Sequence, residues 1–320
     1  MTHLTLAAIL LTATACGNNN SQGNNTDDQQ PKTTIKVEFD ADSAYAFTAA
    51  QCDFGPRVPG TQAHEKCAQW LTAKLNTWAD SVIVQQGAVT TFDGKKLTAK
   101  NIIAQFNPTA ERRLLLLAHW DCRPWADQDP DESKRNEPVM GANDAASGVA
   151  VLLEVARALK HTPAPLGVDI LLVDLEDWGT THQEDSWALG TQYWARHPHV
   201  PGYKPLYGIL LDMVGARDAQ FAPEYHSLKY APSTVQLVWD TARESGFASF
   251  FRNDGGGAVT DDHVVVNETA GIACIDIIDA RPNQPHGFFS HWHTTHDTMD
   301  NIDRAPLKAV GQTLLNIIYQ

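Results

Sequence analysis

Four apolar runs dominate the chain from residue 113 onward: "RLLLLAHWD" (113–121), "VDILLVDLED" (168–177), "LYGILLDMVG" (206–215) and "IACIDIID" (272–279). Each is close to continuous rather than alternating, the pattern of strands covered on both faces, and so predicts a central sheet, mostly parallel. Segments with apolar residues three and four apart separate them, over 144–161, 186–197, 233–246 and 303–319. Ser233 reads as an N-cap and Gly246 as a stop, while Pro306 sits near the start of the last helix. Upstream, residues 43–78 read mainly as helix around the turn "FGPRVPGT", and 82–106 alternates with "DGKK" as a hairpin signal. The expected fold is α/β: a single domain with a central mixed, mostly parallel sheet flanked by helices.

Composition narrows this. A chain of 320 residues, 43% of them hydrophobic, can bury one large core. A formal net charge of −14 opposes phosphate backbones, and no basic cluster reverses it locally, so nucleic acid is not an expected partner. The first residues, "MTHLTLAAILLTATACGNNN", form an apolar run that ends in small residues and Cys16, followed by an Asn/Gln/Ser-rich stretch. They predict an export signal over 1–16, a tether over 17–33 and a catalytic domain over 34–320, in the periplasm of a bacterium. Cys16 is then a lipid-anchor site; an ordinary cleaved secretory signal is the alternative, and a monomer is the default. Export places Cys52, Cys67, Cys122 and Cys274 in an oxidising compartment, with Cys52–Cys67 the best candidate pair. The other reading makes all four small buried apolar residues.

Chemistry gathers where the apolar runs end. The first run closes on His119 and Asp121, the second on Glu176 and Asp177, the third carries Asp212, and Asp144 precedes a helix. Carboxyl ends of strands are where open α/β sheets bind ligands. Each residue also has an ordinary role available: Asp144 as a helix cap, Glu176-Asp177 as a solvated loop start, Asp212 as a strand-end hydrogen-bond partner. Recurrence at successive strand ends favours one shared site. The segment "HWHTTHDTMDNID" (291–303) adds His291, His293 and His296. Carboxylates with imidazole suit a divalent ion, zinc above others, and three protein ligands with one open position make a catalytic site.

These segments resemble the zinc aminopeptidase-like fold and, within it, the animal-type glutaminyl cyclases and their bacterial relatives. The resemblance rests on "AHWD" (118–121), "GANDAASG" (141–148), "LLVDLEDWG" (171–179), "SWALGTQYW" (186–194), "LLDMVGA" (210–216), "TDDH" (260–263) and 291–303, in family order. It implies a glutaminyl-peptide cyclotransferase that turns N-terminal Gln of peptides or proteins into pyroglutamate, releasing ammonia. It further implies one catalytic Zn²⁺ on Asp144, Asp177 and His293, with Glu176, Asp212 and Asp261 as catalytic acids and Trp292 as a substrate-binding wall. Asp177 stands where the family usually has Glu. His119 and Asp212 match the second-metal ligands of two-zinc aminopeptidases, so N-terminal peptide hydrolysis is the alternative activity.

Overall fold

Among the residues described by the computed structural model, 36–284 and 286–320, the elements follow the apolar pattern closely. The expected export signal, tether and Cys16 lie outside the described residues. Helix α1 (Ala41–Cys52) starts at Asp40, whose carboxylate accepts from the backbone N–H groups of Asp42 and Ser43, and α2 (Gln62–Trp78) starts at Thr61. Strands β1 (Ser81–Thr90) and β2 (Lys96–Phe106) form the expected hairpin, Thr90 opposite Lys96. Then come β3 (Arg113–His119), α3 (Ala146–His161), β4 (Gly167–Val173), α4 (Leu189–Arg196) and β5 (Gly208–Asp212). The chain finishes with α5 (Tyr225–Tyr230), α6 (Pro232–Glu244), α7 (Asp262–Val265), β6 (Cys274–Ile278) and α8 (Arg304–Ile318). Each strand after the hairpin stops short of its apolar run, because the polar residues that end the run leave the sheet.

The sheet has the order β1-β2-β4-β3-β5-β6, with β1/β2 and β2/β4 antiparallel and the other three pairs parallel. From β3 the chain winds first to β4 on one side and then to β5 on the other. That reversal opens a crevice at the carboxyl ends of β3, β4 and β5. Strand alternation divides the core: Leu114, Leu116 and Ala118 join the cluster under α1, α2, α3, α6 and α8, and Leu115 and Leu117 join the opposite cluster with Trp194 of α4. Burying each such leucine contributes about 1.5–3 kcal/mol. Gly148, in the first turn of α3, allows that helix to rest on β5; a Cβ there would lie 2.4 Å from the Leu211 carbonyl oxygen. Any side chain at 148 would push the start of α3 away from the crevice.

The Cys52–Cys67 pair does not form. All four described cysteines are free thiols, Cys67, Cys122 and Cys274 buried and Cys52 half-buried. Cys52, Cys67 and Cys122 all lie near enough to the buried Arg57 guanidinium to feel its charge. Burial pushes the Cys67 thiol up to about 12, so it behaves as a small apolar residue. No helix among the described residues is long and apolar enough to cross a membrane.

Candidate metal centre and active site

Three loops leave the carboxyl ends of the parallel strands and bend sharply. Leu175, Met213 and His293 all take positive φ, at 54°, 49° and 54°. Such backbone is disfavoured for residues with a Cβ, and its concentration beside Glu176, Asp212 and the 291–303 loop marks a site held in place by its surroundings. Asp121 supplies part of that hold: its two carboxylate oxygens accept from the backbone N–H groups of Glu176 and Asp177. Asp297 does the same for the loop before α3, accepting from Asn143 N and Asp144 N. Asp144 itself does not cap α3, whose cap position is Ala145 and carries no side-chain hydrogen bond. Its carboxylate is free to face the crevice.

Asp144, Asp177 and His293 place one donor atom each within 4.8 Å of one another, and all three are buried. His293 Nε2 lies 3.2 Å from Asp177 Oδ1 and 3.6 Å from Asp144 Oδ2, while its Nδ1 faces Asp127 Oδ1 at 3.5 Å. A carboxylate behind an imidazole is the usual way a metal-binding histidine is oriented. Asp127 is held in turn by two hydrogen bonds from Arg123, whose third nitrogen donates to the Asp177 carbonyl. Asp177 Oδ2 is buried with no hydrogen-bond partner. A lone carboxylate oxygen left dry in this way costs about 1–3 kcal/mol or more unless a cation meets it, and the set of one imidazole and two carboxylates fits zinc.

On the other side of Asp144 stands a second group, His119, Asp144 and Asp212. His119 Nε2 is 3.0 Å from Asp144 Oδ1 and 3.1 Å from Asp212 Oδ1, with Asp121 behind its Nδ1 at 3.6 Å. Burial pushes Asp212 up to about 7 although His119 pulls it down. Burial would lower His119, yet the Asp121, Asp144 and Asp212 carboxylates together hold it well above the ordinary histidine range. Glu176 is raised well above the usual carboxylate range, first by burial and then by the Asp261, Asp177 and Asp262 charges, against the pull of His119.

Glu176, Asp212 and Asp261 face the same pocket as the metal group, a space of about 220 Å³ walled by Trp187, Trp292, Phe288 and Ile278. It is smaller than the roughly 300 Å³ at which drug-sized ligand sites begin, a size suited to one side chain. Trp292 stacks on the His293 ring with centroids 3.7 Å apart, and Trp187 stacks beyond it at 6.2 Å. The other loop tryptophans lie elsewhere. Trp120 is buried against His64, and Trp125 packs edge-on against Trp178. His296 is exposed and His291 half-buried, outside the metal group. Sequence reasoning missed Trp187, Arg123, Asp127 and Asp297. Trp187 and Asp297 lie within quoted family segments, whereas Arg123 and Asp127 act only through contacts made across the fold.

The profile of Peptidase family M28 matches residues 101–318, more than half of the chain, and the protein belongs to that family. Within it the chain is similar to a Zn-dependent exopeptidase from Parabacteroides distasonis, 49% identical with a TM-score of 0.87 over 88% of this chain and 99% of that one. It is similar also to Bacteroides thetaiotaomicron glutaminyl cyclase bound to N-acetylhistamine, 46% identical with a TM-score of 0.86 over 89% of this chain and 99% of that one. The Bos taurus glutaminyl-peptide cyclotransferase is 26% identical over 243 residues, which span 67% of this chain and 64% of the bovine protein.

Proposed function

We propose that the protein is a zinc-dependent glutaminyl-peptide cyclotransferase acting on peptides or proteins with N-terminal Gln. The observation that carries the reading is a small Trp-walled pocket in which Asp144, Asp177 and His293 converge beside a buried Glu176. Similarity to the Bacteroides thetaiotaomicron glutaminyl cyclase supports cyclisation over other M28 chemistries. Asp144, Asp177 and His293 would hold the ion. When bound, it supplies Lewis-acid stabilisation of charge on a carbonyl oxygen.

In this reaction the substrate's α-amine nitrogen bonds to the carbon of its own side-chain amide, and the amide nitrogen departs as ammonia. Both reacting groups belong to one residue, so the protein's task is to bend that residue and move one proton. Trp292 and Trp187 restrict the side chain to a compact conformer. Glu176 takes the proton from the attacking amine and returns it to the departing nitrogen, work that contributes typically about 10²–10⁴-fold. Burial, which raises Glu176, strengthens its carboxylate as a base. Asp212 and Asp261 line the same pocket as Glu176, and the Asp261 charge is among those that raise it.

The His119, Asp144 and Asp212 group gives a second reading its footing, since these residues would hold the extra ion of a two-metal aminopeptidase. One assay separates the two. With a Gln-initiated peptide, cyclisation yields ammonia and removes the free amine without shortening the chain. If Gln-peptides persist while Leu- or Ala-peptides lose their first residue, hydrolysis is the activity. The leader pattern supports export to the periplasm and a lipid on Cys16; Cys16→Ser is then expected to move the protein from the membrane to the soluble fraction.

A further inference from the structure

The pocket at the metal group does not end at its tryptophan wall. Trp187, Thr260 and Asp261 line the pocket and also line a second space of about 370 Å³ beside it. The wider cleft at Arg252 and Arg281 shares no lining residue with the pocket. A peptide that buries its first side chain in the pocket therefore finds its continuation on the Trp187 side, in a groove with room for about one or two further residues.

The groove has fixed walls. One edge is the turn Glu184–Ser186, tied back to α4 by Gln192, whose side-chain amide donates to the carbonyls of Asp185 and Trp187 at 2.8 Å each. Trp187 is pinned in turn by its indole N–H, which donates to the Thr180 carbonyl. The facing edge is His226 of α5 with Glu268 just after α7. Two polar atoms of the lining are buried without a hydrogen-bond partner: Asp261 Oδ2 at the junction, in a residue 5% exposed, and His226 Nδ1. The protein spends neither, and an extended peptide brings an N–H and a C=O at each residue.

Charge sets what the groove takes. Glu184, Asp185 and Glu268 are exposed along its edges, and Arg196 is the one Lys or Arg in its lining. Arg196 donates to Gln192 Oε1 at 3.2 Å rather than to a carboxylate. Glu268 accepts from the Tyr230 hydroxyl, which also accepts from Lys229 Nζ, so Lys229 offsets part of the Glu268 charge from outside the groove. Glu184 and Asp185 keep theirs for whatever enters.

We propose that this groove is the subsite for the residues that follow the N-terminal glutamine, and that it selects peptides with Lys or Arg in the first two of those positions. The inference rests on the cyclotransferase reading and adds the class of peptide on which it acts. The glutamine enters the pocket, the chain turns past Trp187 and Thr260, and basic side chains meet Glu184, Asp185 and Glu268. These acids are exposed and screened by salt, so each contributes modestly; together they raise kcat/KM for a basic peptide about fivefold to tenfold at low ionic strength. The gain belongs in KM, since none of the three lines the pocket where the reacting atoms sit.

Three peptides with amidated C-termini, Gln-Lys-Lys, Gln-Ala-Ala and Gln-Glu-Glu, test this through ammonia release by the full-length zinc-loaded protein. Gln-Lys-Lys is expected to exceed Gln-Ala-Ala by that factor and Gln-Glu-Glu to be the poorest. The Lys-to-Ala ratio should shrink to about two in about 0.5 M NaCl, a readout that needs no variant. In the double variant Glu184→Gln, Glu268→Gln the same ratio should also fall to about two, a change that a loss of folded enzyme would not produce. Equal kcat/KM for the three peptides, a preference for Gln-Glu-Glu, or a ratio unmoved by salt and by the double variant overturns the groove and leaves cyclisation standing. Ammonia from none of the three overturns the cyclotransferase reading and the groove with it.

Discussion

Asp144 stands between two histidines, and the two sides are built differently. On the His119 side the ring nitrogen already lies within hydrogen-bonding distance of both carboxylates, at 3.0 and 3.1 Å. The ring itself closes that side, and burial holds Asp212 up at about 7 against the pull of His119. On the His293 side the contacts are longer, at 3.2 and 3.6 Å, and Asp177 Oδ2 has no partner. Residues of the same types thus make one closed ion pair and one open ligand set. In a buried, acid-rich pocket, the count of potential ligands says less about metal number than which lone pairs remain unspent.

The sharpest break in this comparison is His293→Ala, expected to lose the ion and about 10³–10⁴-fold in turnover, read by metal analysis alongside ammonia release. Glu176→Gln is expected to keep the ion and lose about 10²–10⁴-fold in kcat; retention of full activity would remove it from the proton path. Asp127→Asn leaves all three ligands in place but disturbs the ring behind them, so zinc affinity measured by competition with a chelator should weaken about 10–100-fold. His119→Gln should leave occupancy of the His293 side unchanged and lower cyclisation by about tenfold or less, whereas a two-metal hydrolase would lose nearly everything. The smallest effect concerns pH. Because Asp212 is raised from 3.8 to about 7 in the folded chain, the metal-free fold binds the extra proton, and stability is lost as pH rises from about 4 through 7. In thermal melts of metal-free protein, that slope should be shallower in Asp212→Asn than in wild type.

Much of this was legible along the chain. Continuous apolar runs identified β3 to β6, the "DGKK" turn identified the hairpin, and acids at the ends of runs pointed to the crevice. Local patterns carry such information because strand burial and turn chemistry are set by neighbours in sequence. Helices α5 and α7 were not legible, being six and four residues long and too short to show a period. Nor were Arg123 and Asp127, whose bearing on His293 depends on a contact between positions 127 and 293. Trp120 shows the reverse case: a loop tryptophan suited to a pocket by composition, sent instead to the core by the His64 ring beneath it.

Arg57 has a reach that its place in the chain does not advertise. It belongs to the turn between the first two helices, yet its guanidinium donates to the carbonyls of Met140 and Gly141, at the root of the loop that presents Asp144. The amino-terminal helical pair is therefore a bracket for the catalytic machinery. A truncation that removed only residues up to 60 would delete no ligand and no pocket wall, and it should still release the Asp144 loop and leave an enzyme unable to keep its ion.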